Sequence, residues 1–535
     1  MKKALLLIFL SFAISSCLRK EKYSNVEIEG SDVGFAIPIA NSKMTVEDIA
    51  YNIHGSNDLF TAGSDGSIIF VYHDTLQFPR SEELIKIPNQ PAYQKSYGFN
   101  NAPPLPLEGQ TFEEEYQDNF TFLFENDAYI EYANLKAGYL NLMLQTELKH
   151  DLEVTVVLNS LVKNGVPYSK TFPMEYSGRS PTVIGDIVDL KGYQLMLKHG
   201  NNNNTFNYTI HLKATASGRD QFLEDIDFKL NFEQLHYSLM YGNPGEVSVN
   251  NETSQLDIKL FQAPIEGDIY LDDPRINFTL ANSFGMPVSL NIDHVISNNY
   301  LNNESVTLSA PFIPGPNNLN YPRYSQRGAF AKTLYEAHKY NSNVRDIFNT
   351  SPSEIDYRIS ARFGKEGGSN YFVKDLSTVE LQLKAEIPAK GRVSLYSLSD
   401  TIRGIELPAR DVLEIADINF AKIRLNVENS LPLGAVLQGY WLAPNGQVLD
   451  SLFINERELI AAGNRNTNDG IIPTVKETVL EVEAPAYDHI RKADRLVLRG
   501  WLQSSDSGER NVRFYYHDFI HVRLSILSKA KLNFE

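Results

Sequence analysis

The chain has 535 residues, a formal net charge of −17, and 42% hydrophobic and 11% aromatic residues. An acidic surface repels phosphate backbones and anionic headgroups, so the composition argues against nucleic acid as a partner. About 520 residues beyond the N-terminal segment, rich in apolar side chains, predict several domains rather than one.

The first segment has the order of a secretory signal peptide. Lys2 and Lys3 precede an apolar run over 4–14, which is too short to cross a bilayer because a span needs about 20 apolar residues. The run ends at Ile14-Ser15-Ser16-Cys17, and Cys17 is the only cysteine of the chain. A single thiol cannot form an intramolecular disulfide, so Cys17 builds no covalent framework.

This segment resembles the lipobox of bacterial lipoproteins, in which an aliphatic residue and two small residues precede a lipidated cysteine. The resemblance implies that 1–16 is a signal peptide, that Cys17 is acylated, and that 17–30 forms a lipidated tether. Several acyl chains anchor firmly, since each buried CH₂ contributes about 0.8 kcal/mol. Leu18 replaces the Asp that commonly holds such lipoproteins at the inner membrane, which favours the outer membrane of a Gram-negative envelope. The alternative is an ordinary secretory signal with a coincidental cysteine.

Residues 31–111 are predicted to form a small N-terminal region with strands and one short helix. Thr45 and Asp48 have the spacing of a capping box, and 68–72 is predicted to be a strand. A Pro-rich stretch near 100–110 predicts a stiff, extended linker. The region either folds by itself or adds strands to the segment that follows.

The remaining sequence is dominated by strand periodicity. Apolar and polar residues alternate over 151–158, 208–216, 287–295, 378–387, 422–429 and 494–502. Turn formers separate the strands at Asp65-Gly66, Asn164-Gly165 and Asn445-Gly446. Helical periodicity is confined to 329–340, 344–348 and 485–493. The predicted fold class is therefore all-β, with tandem antiparallel β-sandwich-like (Ig-like) domains and short connecting helices.

A low-identity repeat organises these strands. When Thr146, Asn282 and Asn429 are matched, each follows one strand and precedes another across a short break. A late strand and a closing strand follow in the same order each time. We predict three β repeats over 112–250, 251–398 and 399–535, called repeats 1, 2 and 3 below. Such a break suits the edge of a sandwich, where the chain leaves one sheet for the next.

The sequence predicts no cofactor and no catalytic residues. It contains no HExxH, CxxC, GxSxG or phosphate-binding glycine motif. His517, Phe519 and His521 would share one face of a strand, but two imidazoles without a third ligand favour a half-exposed strand over a metal site. The Asn-rich stretch 464–470 lacks the acidic twelfth ligand of a calcium loop and is predicted to be a turn. Asp272-Asp273 is compatible with glycosidase chemistry, as are many acidic pairs.

The two tryptophans are assigned opposite roles by strand parity. Trp441 shares its face with Leu437 and is predicted to be core, whereas Trp501 shares the polar face of its strand with Arg499. An outward Trp beside an Arg could stack on a sugar ring or anchor a protein partner. The alternative is that Trp501 packs against a loop or a neighbouring repeat. Arg499 and Trp501 are the candidate binding residues.

Two functional hypotheses follow. The first is a membrane-anchored envelope lipoprotein, partnered with the membrane through its lipid and with an envelope protein or glycan, that acts as a non-enzymatic structural, adhesion or ligand-binding module. The second is a cell-surface carbohydrate-binding or carbohydrate-active hydrolytic protein. The threefold repetition favours the first, because none of the candidate chemical features recurs at equivalent places in all three repeats.

Overall fold

A computed structural model describes most of the chain. The described residues are 32–48, 60–103, 106–218, 220, 222–251, 253–261, 267–365, 367–405, 407, 420–453, 458–465, 471–505 and 508–531. The signal peptide, Cys17 and the tether lie outside them. The fold is all-β and antiparallel, as the sequence predicts.

The N-terminal region, called the arm, contains four strands and a short helix among its described residues. Thr45 Oγ1 accepts a 3.0 Å hydrogen bond from the Asp48 N–H, while Asp48 Oδ2 accepts one of 2.8 Å from the Thr45 N–H, which confirms the capping box. The arm contains β1 (Asp32–Thr45), β2 (Phe60–Ala62), β3 (Ile68–Gln77), helix α1 (Ser81–Leu84) and β4 (Tyr93–Tyr97).

Repeat 1 is built from long strands. Its predicted Asn164-Gly165 turn has both residues at positive φ, 53° and 81°, as a tight hairpin requires. The strands are β5 (Thr111–Thr121), β6 (Tyr129–Thr146), β7 (Asp151–Lys163), β8 (Val166–Met174), β9 (Thr182–Asp189), β10 (Gln194–Met196), β11 (Thr205–Thr215) and β12 (Ile226–Asn243).

Repeat 2 contains the one predicted helix that the structure contradicts. The sequence predicts a helix over 329–340, but residues 331–337 form a strand that pairs with the strand over 275–282. Alternate residues from Ala331 to Ala337 turn toward the core, so tertiary pairing overrides the weak helical periodicity. Strand β13 (Val247–Asn250) lies before the predicted boundary at 250, but it pairs with β21 and so belongs to repeat 2. The other elements are β14 (Ser254–Asp257), a 3₁₀ turn (Lys259–Phe261), β15 (Asp268–Leu271), β16 (Arg275–Asn282), β17 (Val288–Asn299), β18 (Glu304–Thr307), β19 (Asn317–Asn318), a 3₁₀ turn (Tyr324–Gln326), β20 (Ala331–Ala337), α2 (Val344–Asn349), β21 (Glu354–Phe363), β22 (Tyr371–Lys374), β23 (Val379–Pro388) and β24 (Lys390–Ser394).

Repeat 3 contains the third predicted helix, with Pro485 in its first turn. Its elements are β25 (Tyr396–Arg403), β26 (Phe420–Asn429), β27 (Leu433–Leu442), β28 (Val448–Ser451), β29 (Glu458–Ile460), β30 (Asn464–Arg465), β31 (Ile471–Ile472), β32 (Thr474–Glu483), α3 (Ala484–Ile490), β33 (Arg495–Ser504), β34 (Val512–Arg513) and β35 (Phe519–Lys531).

One pairing scheme recurs in all three repeats. In each, the strand before the break pairs with the closing strand, and the strand after the break pairs with the late strand. The first type of pair is β6–β12, β16–β23 and β26–β35. The second type is β7–β11, β17–β21 and β27–β33. The two types of pair lie in separate sheets in repeats 2 and 3, whereas β10 joins them into one sheet in repeat 1. Strands β15 and β24 of repeat 2 form a further small sheet with β34 of repeat 3.

The arm supplies one strand to each repeat, in reverse order. Strand β1 pairs with β35 of repeat 3, β3 with β23 of repeat 2, and β4 with β12 of repeat 1. In every case the arm strand lies beside the closing strand. The arm thus adds strands to all three repeats, whereas the sequence suggested only the first as a recipient.

The matched residues at the three breaks make the same local hydrogen bond. Thr146 Oγ1, Asn282 Oδ1 and Asn429 Oδ1 each accept a hydrogen bond from the backbone N–H two residues later, at 3.1, 2.9 and 3.0 Å. All three side chains are buried. Because a buried N–H needs a partner, a short polar side chain at this place lets the chain turn out of one sheet.

The late strands need one change to the sequence alignment. Val154, Leu290 and Leu437, which are equivalent across the repeats, pair with Leu212, Ala361 and Gly500. The sequence pattern matches Ala214, Ala361 and Gly500, so the late strand of repeat 1 is two residues out of step with that alignment. A shift of two preserves side-chain parity, so the assignment of inward and outward faces on the late strands is unchanged.

Candidate binding surfaces

Arg499 and Trp501 lie together on the outer face of β33. The Arg499 guanidinium lies 5.1 Å from the centre of the Trp501 ring, within the range of a cation–π contact. Arg499 Nε donates a 3.1 Å hydrogen bond to Ser397 Oγ on the neighbouring strand β25. Both candidate side chains are half-buried, and the hydrogen bond fixes the cation beside the indole.

An apolar strip continues from Trp501 across this sheet. Trp501 pairs directly with Val436 on β27, and Val436 pairs with Leu459 on β29, so the three side chains share one face. The Leu459 side chain is 65% exposed. An apolar strip with an Arg–Trp pair at one end can contact the apolar face of a ligand.

The opposite face of the same sheet is core. Trp441 is 1% exposed, and Leu496, its direct partner on β33, is fully buried. The predicted parity of both tryptophans is therefore confirmed. It separates a ring that packs between the sheets from a ring on the outer face.

The histidines near the C-terminus do not form the pair that a strand would give. Residues 516–517 lie in a turn, so His517 is not on the strand that begins at Phe519, and the strand prediction is wrong for that residue. His521 Nε2 lies 2.5 Å from Asn41 Oδ1 on β1. Within the described part of the chain, no three His, Cys, Asp or Glu side chains are grouped as metal ligands.

Asp272 is the centre of a charged cluster that ties repeat 2 together. Its carboxylate lies 2.6 Å from Lys390 Nζ, 2.7 Å from Arg345 Nη2 and 3.6 Å from Lys339 Nζ. Burial raises the pKa of Asp272, but the hydrogen bond from Lys390 and the surrounding positive charges outweigh it and hold the pKa below its usual value. A general acid needs the opposite shift, so the cluster stabilises structure rather than supplying a proton.

Tyrosines join repeats 1 and 2. The rings of Tyr132 and Tyr241 stack at 5.2 Å, and the Tyr132 hydroxyl donates a 2.7 Å hydrogen bond to that of Tyr324 in repeat 2. Burial, followed by the neighbouring Tyr324 hydroxyl, raises the pKa of Tyr132. Tyr129 donates to the Gly368 carbonyl across the same seam. These hydroxyl groups bind protein acceptors, and the cluster fastens one repeat to the next.

Sequence reasoning found Arg499 and Trp501 because they share a strand, and it missed the two clusters above. Asp272 and Arg345 stand 73 positions apart, and Tyr132 and Tyr324 stand 192 apart. No local signal links such pairs; only the folded chain brings them together. Cys17 and the last five residues of the Asn-rich stretch, 466–470, lie outside the described residues. Among the residues described, no helix has the length and apolar content that a bilayer crossing requires.

Comparisons with known proteins add little to these observations. No protein-family model matches the sequence, and no curated protein matches it. A candidate secreted protein of Parabacteroides distasonis is similar over 93% of this chain and 100% of its own, with 10% identity and a TM-score of 0.30. The VP2 subviral particle of infectious bursal disease virus covers 90% of this chain at 7% identity and a TM-score of 0.12, over 86% of its own length. Likenesses this weak carry no inference about fold or function.

Proposed function

We propose that the chain is a lipid-anchored envelope lipoprotein whose β repeats form a non-enzymatic module that presents a binding face. The observation that carries the anchor is Cys17, the sole cysteine, placed at the end of a short apolar run after two small residues. Leu18 supports the outer membrane of a Gram-negative envelope as the location. The binding face is the strip around Trp501 with Arg499 at its end.

The arm connects the proposed anchor to repeat 3. Between Cys17 and Asp32, where arm strand β1 begins, lie 14 residues. Fully extended, such a tether spans about 50 Å at most. Strand β1 pairs with β35 of repeat 3, and the Arg499–Trp501 face belongs to that same repeat.

The anchor is tested with Cys17→Ser and a matched control, Ser16→Ala, which keeps a small residue and the thiol. Wild type and Ser16→Ala should incorporate a radiolabelled fatty acid and partition into the detergent phase. Cys17→Ser should do neither. Equal labelling of Cys17→Ser and wild type would show that the proposed anchor is wrong.

The binding face is tested with Trp501→Ala against Val497→Ala, a smaller change on the same face of β33. The two proteins are compared for co-sedimentation with purified cell-wall sacculi and with envelope vesicles from cells that lack this chain. Trp501→Ala should lose binding to one of these, and Val497→Ala should retain it. Equal binding of the two variants would remove Trp501 from the proposal.

A further inference from the structure

A cleft of about 480 Å³ opens in repeat 2, away from the Arg499–Trp501 face. Three segments form its walls: the start of β15 with Asp268, the turn from β17 to β18 with Asn302, and the residues that follow α2 with Ser351. Small-molecule sites in proteins have volumes of about 300–1,000 Å³, so the cleft is large enough for one or two sugar rings.

Hydrogen bonds hold the walls in place without a ligand. The amide of Asn299, which is 7% exposed, accepts from the Leu301 N–H at 2.8 Å and donates to the Thr350 carbonyl at 2.7 Å. Asn349 Oδ1 accepts from the Leu271 N–H at 2.9 Å, which ties the helix end to β15. A site whose walls are already fixed loses less conformational entropy when it binds.

The lining combines two kinds of surface. Carboxylates, amides and hydroxyls come from Asp268, Asn302, Glu304 and Ser351, while Leu301, 59% exposed, offers apolar contact. The Asn302 amide donates a 2.9 Å hydrogen bond to Glu304 Oε2, which orients both side chains on the turn. A sugar presents this same pair of surfaces, since its hydroxyl groups surround an apolar face of C–H groups.

The charge of the lining selects among sugars. Among the described residues that line the cleft, the two ionisable ones, Asp268 and Glu304, are acidic, and none is Lys, Arg or His. Carboxylates accept strong hydrogen bonds from hydroxyl donors, but they repel uronates, sialic acids and phosphates. We propose that this cleft binds a neutral saccharide of one or two rings. The proposal depends neither on the lipid anchor nor on Trp501.

The test measures binding by calorimetry with the full-length protein in a detergent that carries no sugar headgroup, such as lauryldimethylamine oxide. The probes are cellobiose, maltose, lactose and diacetylchitobiose, with digalacturonate as the acidic comparison and CaCl₂ as the cation comparison. At least one neutral disaccharide should bind with a Kd of about 1 mM or tighter. Digalacturonate should bind at least tenfold more weakly.

The variant for this test is the double substitution Asp268→Asn with Glu304→Gln, which keeps side-chain size and removes both charges. It should weaken disaccharide binding at least tenfold. The control is Asp257→Asn, an exposed carboxylate on β14 of the same repeat, which should leave binding unchanged. The proposal is overturned if no neutral disaccharide binds, if the double variant binds as wild type does, or if these residues bind Ca²⁺ but no sugar.

Discussion

Repeats 1 and 3 share one strand-pairing scheme but fill their cores differently. At three equivalent buried positions repeat 1 has Val156, Leu158 and Leu212, whereas repeat 3 has Gly439, Trp441 and Gly500. One large ring and two glycines replace three aliphatic side chains. Backbone pairing is thus the shared feature, while the volumes of the buried side chains at these positions differ.

The largest expected effect is in the core of repeat 3. Trp441→Ala removes a ring that is 1% exposed and should destabilise the protein by about 3–5 kcal/mol. Leu158→Ala, at the equivalent position of repeat 1, removes a smaller side chain and should cost less, about 2–4 kcal/mol. Denaturant unfolding followed by circular dichroism measures both.

Trp501→Ala is the control for that comparison, because the ring lies half-buried on the outer face and should cost about 1 kcal/mol or less. Iodide should quench Trp501 and leave Trp441 protected. If Trp441 is the ring that iodide reaches and its loss is harmless, the assignment of inward and outward faces is wrong.

Removing the polar side chain at the break should also cost more stability in repeat 3 than in repeat 1. Asn429 uses its amide for three hydrogen bonds, to the Leu431 N–H and to the Leu433 and Ala461 carbonyls, at 3.0, 2.8 and 2.9 Å. Asn429→Ala leaves these groups without that partner and should cost about 2–4 kcal/mol.

Thr146 makes two such bonds, the second to the Asp225 carbonyl at 3.0 Å, so Thr146→Ala should cost about 1–2 kcal/mol. Asn291→Ala, an exposed amide on β17, is the control and should be close to neutral. Equal costs for Asn429→Ala and Thr146→Ala would mean that only the local turn bond contributes to stability.

Substitutions at the two core glycines of repeat 3 should have smaller effects, and they test whether the Trp441 side chain fills the space that aliphatic side chains fill in repeat 1. A Cβ at Gly439 would lie 3.0 Å from Leu452 Cβ, so Gly439→Val overpacks the core and should cost about 1–3 kcal/mol. Gly500→Ala meets the flexible end of Leu437 at 3.2 Å and should cost less. Thermal unfolding ranks the two, and the reverse order would contradict the packing described here.

The smallest expected effect is the pH dependence of arm attachment. Burial, followed by the charges of Arg523 and Lys43, lowers the pKa of His521 beside β1, with Glu428 opposing. A lowered folded-state pKa means that this contribution is present above the unfolded pKa of about 6.5 and is lost as pH falls below it. The unfolding midpoint should therefore fall as the pH drops from about 7 toward 5.

The attachment of arm strand β4 to repeat 1 should weaken only at a lower pH. Burial raises the pKa of Asp118, but the hydrogen bond and charge of Lys95 on β4, together with hydrogen bonds from the Asn119 N–H and the Tyr97 hydroxyl, outweigh it, and the pKa lies below its usual value. The attachment of β4 should hold until the pH falls below about 4. His521→Gln should abolish the effect near pH 6 and leave the acid limb unchanged. A slope near pH 6 that persists in His521→Gln would assign it to another group.

The sequence predicted those parts of the fold that depend on local patterns. Alternation found the core strands, turn residues found the hairpins, and the repeat led to the three breaks, because a buried turn needs a short polar side chain such as Asn282. The helix predicted over 329–340 was wrong because seven of its residues pair with β16. The sequence could not predict which strands the arm strands pair with, because backbone hydrogen bonds do not depend on side-chain identity.

The candidate sites also differ in whether a local sequence pattern could predict them. Arg499 and Trp501 were found because two positions on one strand share a face. The cleft of repeat 2 was not, because Asp268, Glu304 and Ser351 come from three segments that only the folded chain brings together. Cys17 remains a prediction from the sequence alone.

Because the arm strands are distributed in reverse order, their pairings are nested along the chain. Strand β4 pairs with β12, β3 with the more distant β23, and β1 with β35, the most distant of the three. Asn41 and His521, which touch in the finished molecule, are 480 positions apart. Contacts of such high contact order form slowly, and until they form β1 is a bare edge that another chain could pair with. Strand β1 is therefore the last arm strand to pair. A chain truncated before residue 519 can complete repeats 1 and 2 but not repeat 3.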